Sequence, residues 1–315
     1  MSDPWPLQSG PAPRLTLVDT SIFVFRAWFA REHDRDTRGR PNGALHGLVH
    51  SLCQWLPLCG PGPIAFCLDT SLRSGFRHRI DPEYKAHRPP APPELREQFA
   101  RIRELLEQLG FPTLAASEYE ADDLIASLAR SGREAGYSID VKSADKDLAQ
   151  VIRGDADRLH DPERGTELDR RAIERRFRIR PEQVADMLAL AGDASDNIPG
   201  IRGVGPKSAA RILRRLGDLE TVLADPQAVT RCNVRGADRL ATQIVEQAER
   251  LRRSQRLTTL AEWVPGLPAV DALVPSGDPG PDPGPRLAEL GVEPLYHEPL
   301  LAALRAWQTP LRGVA

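Results

Sequence analysis

The 315-residue sequence has only four cysteines, Cys53, Cys59, Cys67 and Cys232, with no CxxC pair and no zinc-like spacing to histidine. That argues against a disulfide framework and against structural zinc, and it points to a reducing compartment, the cytoplasm. Long apolar runs are missing as well. No stretch approaches the roughly 20 apolar residues of a membrane span, and the opening MSDPWPLQSGPAPRL lacks the basic start and apolar run of a secretory signal. Charge of one sign is not in excess either: 42 Lys and Arg against 44 Asp and Glu leave a formal net charge of -2. No bulk basicity therefore advertises a nucleic-acid partner. A near-neutral total still averages over opposed patches, and a site that mixes carboxylates with cations is compatible with it.

What is present is a chain able to bury a substantial core, 41% hydrophobic, in the size class of one large α/β domain with or without an appendage. Three short apolar segments read as buried strands, each closing on an aspartate: Leu15 to Asp19, Ile64 to Asp69 and Ile139 to Asp145. Helical patterns lie between them, notably Pro93 to Leu109, where Leu95, Phe99, Ile102, Leu106 and Leu109 share a face. Alternating strands and helices predict a parallel sheet flanked by helices. Function in such sheets gathers at the carboxyl edge, where Asp19, Asp69 and Asp145 are expected to converge.

From about residue 170 to 262 the pattern turns wholly helical and reads as a second lobe, with candidate helices at Glu174 to Phe177, Glu182 to Leu190, Ser208 to Leu216 and Thr242 to Leu257. The organisation expected is a flexible tail over 1–14, an α/β domain over 15–169, the helical lobe over 170–262, and a Pro/Gly-rich linker with a C-terminal tail over 263–315. A short amphipathic stretch, Leu287 to Trp307, is placed to dock back on the body.

Three further acidic clusters stand out, and each has a plain explanation. Glu120, Asp122 and Asp123 fall in the first turn of a helix, where acids complement the dipole. Asp145 and Asp147 flank Lys146 after a strand, as an N-cap would. Asp193 and Asp196 precede an Asn-Ile-Pro-Gly turn, where Asx turns account for both. Jointly these explanations weaken, because so much negative charge brought together forces protonation or instability unless a multivalent cation is present. An all-oxygen set without histidine or cysteine suits Mg²⁺, with Mn²⁺ as a substitute, and not zinc. Two such ions roughly 4 Å apart hydrolyse phosphodiesters.

The segment Gly203-Val204-Gly205-Pro206-Lys207-Ser208 invites a phosphate-binding reading. It is not a P-loop, because Pro206 separates glycine from lysine, nor a dinucleotide fingerprint, because Ser208 stands where the third glycine belongs. A glycine turn opening a helix still offers backbone N–H groups to a phosphate, and Lys207 adds a point charge. For a lone GxG, a simple connection between helices is the better explanation.

Taken together, LVDTSIFVFRAW, FCLD, FRHRIDPEYKAHR, YEADDLIASLA, SADKDLAQ and GDASDNIPGIRGVGPKSAARIL resemble, in family order, the 5′ nucleases that include the N-terminal domain of bacterial DNA polymerase I, phage 5′ exonucleases and, more distantly, flap endonucleases. The matching pieces span about Leu15 to Leu223. The resemblance implies that Asp19, Asp69, Glu120 and Asp122 serve mainly a first metal, with Asp123 nearby, and that Asp145, Asp147, Asp193 and Asp196 serve mainly a second. It implies a helical gateway over about residues 76–110, in which Arg77, Lys85 and Arg88 hold the scissile phosphate and Tyr84 stacks on a base. It also makes the glycine turn, Gly203, Val204, Gly205, Lys207 and Ser208, a helix-hairpin-helix that grips the duplex backbone and holds K⁺ through main-chain carbonyls.

One departure is Thr20, where the family usually has glycine, and the final fifty or so residues match nothing in it. The expected activity is that of a structure-selective 5′ to 3′ exonuclease and flap endonuclease, acting as a monomer on DNA with a 5′ flap or 5′ end, with RNA–DNA hybrids as a further substrate class and replication or repair as the setting. A PIN-type ribonuclease and a catalytically silent DNA-binding module are the alternatives. The ending QTPLRGVA lacks the aromatic anchor of a sliding-clamp peptide.

Overall fold

The computed structural model describes residues 13–70, 74–276 and 283–308. Most of the expected N-terminal tail, part of the Pro/Gly-rich linker and nearly all of QTPLRGVA lie outside the described residues.

A six-stranded sheet organises the first half. Its strands are β1 (Arg14–Asp19), β2 (Ile64–Asp69), β3 (Thr113–Ala116), β4 (Ser138–Lys142), β5 (Arg158–Asp161) and β6 (Thr166–Leu168), in the order β3-β2-β1-β4-β5-β6. The first five run parallel. The parallel sheet expected is present, and its edge strand β6 adds one antiparallel pairing, to β5. The reason is local: the Glu-Arg-Gly turn at 163–165, with Gly165 at φ 62, reverses the chain directly, and a tight reversal can only produce an antiparallel pair.

Strand alternation divides the core. Leu15 and Leu17 of β1 join Ala65, Cys67, Ile139 and Val141 on one face, while Val18 and Phe66 face the opposite layer. That opposite layer holds α1 (Thr20–Ala30), α2 (Gly43–Cys59) and, beyond the short α3 (Phe76–Ile80), which packs instead toward Leu257 of the helical lobe, α4 (Pro93–Gln108). Helix α5 (Ala121–Glu134) lies on the Leu15 face, with Leu124, Ile125 and Leu128 fully buried.

The helical lobe comprises α6 (Arg170–Phe177), α7 (Val184–Ala191), α8 (Pro206–Leu216), α9 (Leu219–Ala224), α10 (Ala237–Glu246) and α11 (Ala248–Thr258). A two-residue hairpin of β7 (Gly192–Asp193) and β8 (Ile198–Pro199) sits between α7 and α8. Leu188, Ile212 and Leu251 of this lobe belong to the same apolar cluster as Leu15 and Leu124, so the core runs without a break from sheet to lobe.

Two elements differ from expectation. The stretch Thr242 to Leu257 is two helices, because the chain leaves helical geometry at Gln247 (φ -114). Beyond Val264 the chain is not purely a linker: Val270 and Leu273, in a 3₁₀ turn, are buried against the core. The stretch Leu287 to Trp307 docks on the body: α12 (Gly284–Leu290) and α13 (Pro294–Gln308) press Leu287, Leu300, Leu304 and Trp307 onto the layer of α2 and α4.

Candidate metal centre and nucleic-acid surface

The carboxyl edge of β1 and β2 delivers the first acids. Asp19 closes β1 and caps α1, accepting the Ile22 N–H at 3.2 Å through one oxygen and the Ser143 hydroxyl at 2.7 Å through the other. Thr20 enters α1 fully buried without displacing that carboxylate. Asp69 closes β2 and accepts the Ala121 N–H at 2.8 Å, which ties it to the start of α5. Asp145 departs from the strand-end expectation: β4 stops at Lys142, and Asp145 lies in the loop after it, its backbone N–H held by Ser143 at 3.0 Å. Ser143 thus holds Asp19 and the Asp145 loop together.

These acids do repel one another. Burial, then Asp69 and Asp145, pushes the Asp19 carboxyl up to about 7. Burial and the charges of Asp19, Asp145 and Asp69 drive Asp122 well above the carboxylate range. Burial followed by Asp145 raises Asp147 to about 8. Asp69 is raised by burial and Glu120. Oxygen donors crowded in this way, with histidine and cysteine absent from the set, fit a hard divalent cation. Among the described residues no three acids are already drawn together as a closed metal cage.

Two lysines stand inside the acid cluster. Lys85 Nζ lies 2.8 Å from Glu120 and 3.7 Å from Asp196, and Lys146 Nζ lies 3.0 Å from Asp193. Against the cost of burial, Lys85 and Arg77 hold Glu120 below its ordinary range, and Ser195 and Lys146 do the same for Asp193. A small cavity at this point is lined by Glu120, Asp122, Asp147, Asp193 and Asp196, with Tyr84 at its wall. Lys85 has a left-handed backbone (φ 52), a conformation that a side-chain-bearing residue holds at a cost of order 1 kcal/mol or more, and its N–H is fastened to the Asp196 carbonyl at 3.0 Å.

Asp193 and Asp196 are presented by the β7–β8 hairpin. It closes because Gly192 (φ 80) and Gly200 allow the two strands to touch: a Cβ on Gly200 would stand 2.2 Å from the Ala191 carbonyl carbon. Asn197 (φ 59) turns the tip and donates to the Glu83 carbonyl at 2.7 Å, fastening the hairpin to the gateway segment.

Three expected site residues are turned away from the roles expected of them. Arg77 is buried, and its guanidinium makes 2.6 and 2.8 Å bonds to both oxygens of Asp123 and further bonds to the carbonyls of Leu257 (2.8 Å) and Thr259 (3.2 Å). Asp123, fully buried, also accepts the N–H groups of Glu120 at 3.0 Å and Ala261 at 2.8 Å. With these bonds in place, Arg77 is not presented to a phosphate and Asp123 is not presented to the metal. Tyr84, only 2% exposed, is likewise not offered to a base: its hydroxyl lies 2.9 Å from Glu120 and 3.0 Å from Asp196. Arg88 reaches Asp196 at 2.8 Å and the Ser195 carbonyl at 3.0 Å. Ser143, Lys146 and Ser195 are site residues that the sequence reading passed over. Their signal was adjacency to the acids, which does not reveal which way a side chain turns.

At the glycine turn, Gly203 has φ 89 and Gly205 starts α8 in extended geometry, with Lys207 exposed in the first turn. Val204 is buried and its N–H bonds the Ile201 carbonyl at 3.0 Å, so it anchors the turn from inside; the Ser208 N–H bonds Gly205 at 2.9 Å.

Residues 14–178 match the 5′-3′ exonuclease N-terminal resolvase-like domain, and residues 179–276 the 5′-3′ exonuclease C-terminal SAM fold. The thermostable DNA polymerase I of Thermus thermophilus is 37% identical over 225 residues, which are 71% of this chain and 27% of that protein. The matched part is thus about a quarter of the polymerase's length. The 5′-3′ exonuclease of Aquifex aeolicus is 34% identical over 209 residues, 66% of this chain and 72% of that one. In structure, a T5 5′-exonuclease with bound zinc superposes with TM-score 0.63 at 19% identity, covering 94% of this chain and all of the other. The catalytic core of Rad2 in complex with DNA substrate superposes at 0.52 with 17% identity, covering 93% of this chain and 92% of the other. The mixed α/β sheet with its helical, hairpin-bearing lobe is the fold of these nucleases, and the chain belongs to the 5′-3′ exonuclease family.

Proposed function

We propose that this chain is a structure-selective 5′ to 3′ exonuclease and flap endonuclease that hydrolyses DNA phosphodiesters with divalent metal, in flap or primer removal during replication and repair. The observation that carries this reading is the group of acids at the sheet's carboxyl edge, Asp19 buried and Asp69 and Asp122 half-buried, whose mutual repulsion only a multivalent cation relieves without loss of charge. Asp19, Asp69, Glu120 and Asp122 would hold one Mg²⁺, with Mn²⁺ able to replace it, and Asp145, Asp147, Asp193 and Asp196 a second. Such ions, when bound, supply a nucleophile at neutral pH and neutralise charge on the phosphodiester.

The chain's own residues do the positioning. Lys85, held between Glu120 and Asp196, is aimed where a phosphate would meet the acids. Ser143 and Lys146 orient Asp19 and Asp193. The glycine turn and Lys207 grip the duplex backbone, with K⁺ at the turn's carbonyls, and phosphate contacts of this kind position DNA without reading its sequence. Tyr84 and Arg88, now fastened to the acids, reach the strand only if DNA displaces them. RNA–DNA hybrids are a further substrate class, and a cytoplasmic monomer is the form proposed.

The test is cleavage of an end-labelled 5′-flap duplex in Mg²⁺, with blunt duplex, single-stranded DNA and single-stranded RNA alongside, and chelator as control. Cutting near the flap junction is expected. Cutting of RNA alone would instead indicate a PIN-type ribonuclease, and binding without cutting a silent DNA-binding module.

A further inference from the structure

One groove of the helical lobe collects arginines that ion pairing does not explain. Arg171 and Arg175 from α6, Arg178 and Arg180 just beyond it and Arg214 near the end of α8 line a groove of about 660 Å³, and all five are exposed. Glu174, the one carboxylate among the described residues that line it, lies 3.4 Å from Arg170, and Arg180 reaches Glu182 only at 4.0 Å. Arg171, Arg175, Arg178 and Arg214 have no carboxylate within ion-pair distance among the described residues. The dipoles of α6 and α8 account for Arg175 and Arg214 in their last turns, but not for Arg171, which stands in the first turn of α6. Arg178 moreover stands in left-handed geometry (φ 62) at the end of α6, where glycine or asparagine sits at less cost.

The groove is joined to the glycine turn by a stripe of charge. Lys207, Arg211 and Arg214 follow one another at spacings of four and three along α8, which puts them on one face, and all three are exposed. From Lys207 to Arg214 is about 10 Å at the helical rise of roughly 1.5 Å per residue. That is about three base-pair steps of B-DNA at roughly 3.4 Å each. Among the described residues no aromatic ring lines the groove, and stacking on rings is what grips single strands.

We propose that this arginine groove is a second contact for the phosphate backbone of duplex DNA, reached when the duplex held at the glycine turn continues along α8. The inference rests on the reading of that turn as a duplex grip.

It is tested with the full-length chain in chelator, by fluorescence anisotropy on 5′-flap DNAs whose duplex arm is either too short to pass the turn, about 6 base pairs, or long, about 24. The variant R171A/R175A/R214A, shown by circular dichroism and melting to be folded, is compared with the unaltered chain. The expected result is at least about a tenfold loss of affinity on the long arm and less than about twofold on the short one. The slope of log affinity against log salt on the long arm should fall by about 2 to 3, from roughly 0.9 per lost phosphate contact. Equal losses on both arms, or an unchanged slope, overturn the proposal. So does loss of binding to a polyglutamate probe with duplex binding intact, which would assign the groove to an acidic protein segment. Flap cleavage in Mg²⁺ by the unaltered chain is read separately. Its failure removes the nuclease reading while leaving arm-length dependence to decide the groove.

Discussion

Arg77 and Asp123 form a two-point ion pair, 2.6 and 2.8 Å, sealed from solvent where the gateway, the start of α5 and the end of α11 meet. Asp123 stands beside Asp122 in the chain, yet the two carboxylates do opposite work. One locks three elements together, and the other points into the acid cluster. Breaking a buried pair leaves a charge without a partner, so Asp123→Ala is expected to cost about 3–5 kcal/mol of stability. Asp122→Asn removes a repelled charge. It should leave metal-free melting unchanged or higher and abolish cleavage. Melting in chelator compared with flap cleavage in Mg²⁺ separates them, and matching behaviour of the two variants would refute the distinction.

Lys85→Ala tests whether the ammonium between Glu120 and Asp196 serves catalysis. A pre-positioned cation next to a reacting phosphate is worth about 10²–10³ in rate. The variant is expected to lose that much in kcat with substrate affinity changed by no more than a few fold, measured by single-turnover cleavage and by binding in chelator. A loss confined to affinity would make Lys85 a binding residue only.

Gly200→Ala introduces a methyl group 2.2 Å from the Ala191 carbonyl carbon, where backbone must move. The hairpin that opens carries Asp193 and Asp196. Expected are a stability loss of about 1–3 kcal/mol, as for other overpacked sites, and lower activity that excess Mn²⁺ partly restores. Full activity at ordinary Mg²⁺ would mean that the hairpin's closure does not matter to the site.

Lys207→Ala removes one exposed charge at the glycine turn. Binding of duplex-containing substrates should weaken, and the salt slope should fall by about 1, while short single strands bind as before. Equal loss on both would sink the hairpin's role.

Asp161 accepts bonds of 2.9 and 2.8 Å from Arg26, tying β5 to α1, and this guanidinium holds its carboxyl below the ordinary range although burial opposes it. A depressed carboxylate stabilises the fold fully above its unfolded pKa, near 4, and ceases to do so as the pH falls through the lower folded value. Asp161→Asn should therefore melt lower than the parent at pH 7, by about 1–2 kcal/mol, with the gap narrowing below about pH 4. A gap independent of pH would show that the loss is one of packing.

Much of this was legible in the order of residues. Strands read from short apolar runs, and strand-end placement of Asp19 and Asp69, follow from periodicity and from the geometry of parallel sheets. The family motifs, in order, identified the chemistry. Asp145 was read as a strand end because IDVKSAD is apolar enough to continue; the strand stops at Lys142, where pairing with β1 ends at Val18. The break between α10 and α11 was invisible because no glycine or proline marks Gln247.

Composition and local pattern, then, determined which residue types this chain could bring to a site: oxygen ligands, lysines near them and a glycine turn at the start of a helix. Those properties belong to single side chains and their immediate neighbours. Tertiary structure decided their allocation. It paired Arg77 with Asp123, turned Tyr84 inward onto Glu120, and set Lys146 on Asp193 across 47 residues of chain. It also brought Arg214 of one helix beside Arg171 and Arg175 of another. Direction and proximity between distant segments arise only when the core closes around them, because packing, and not sequence spacing, selects which face of each helix is buried.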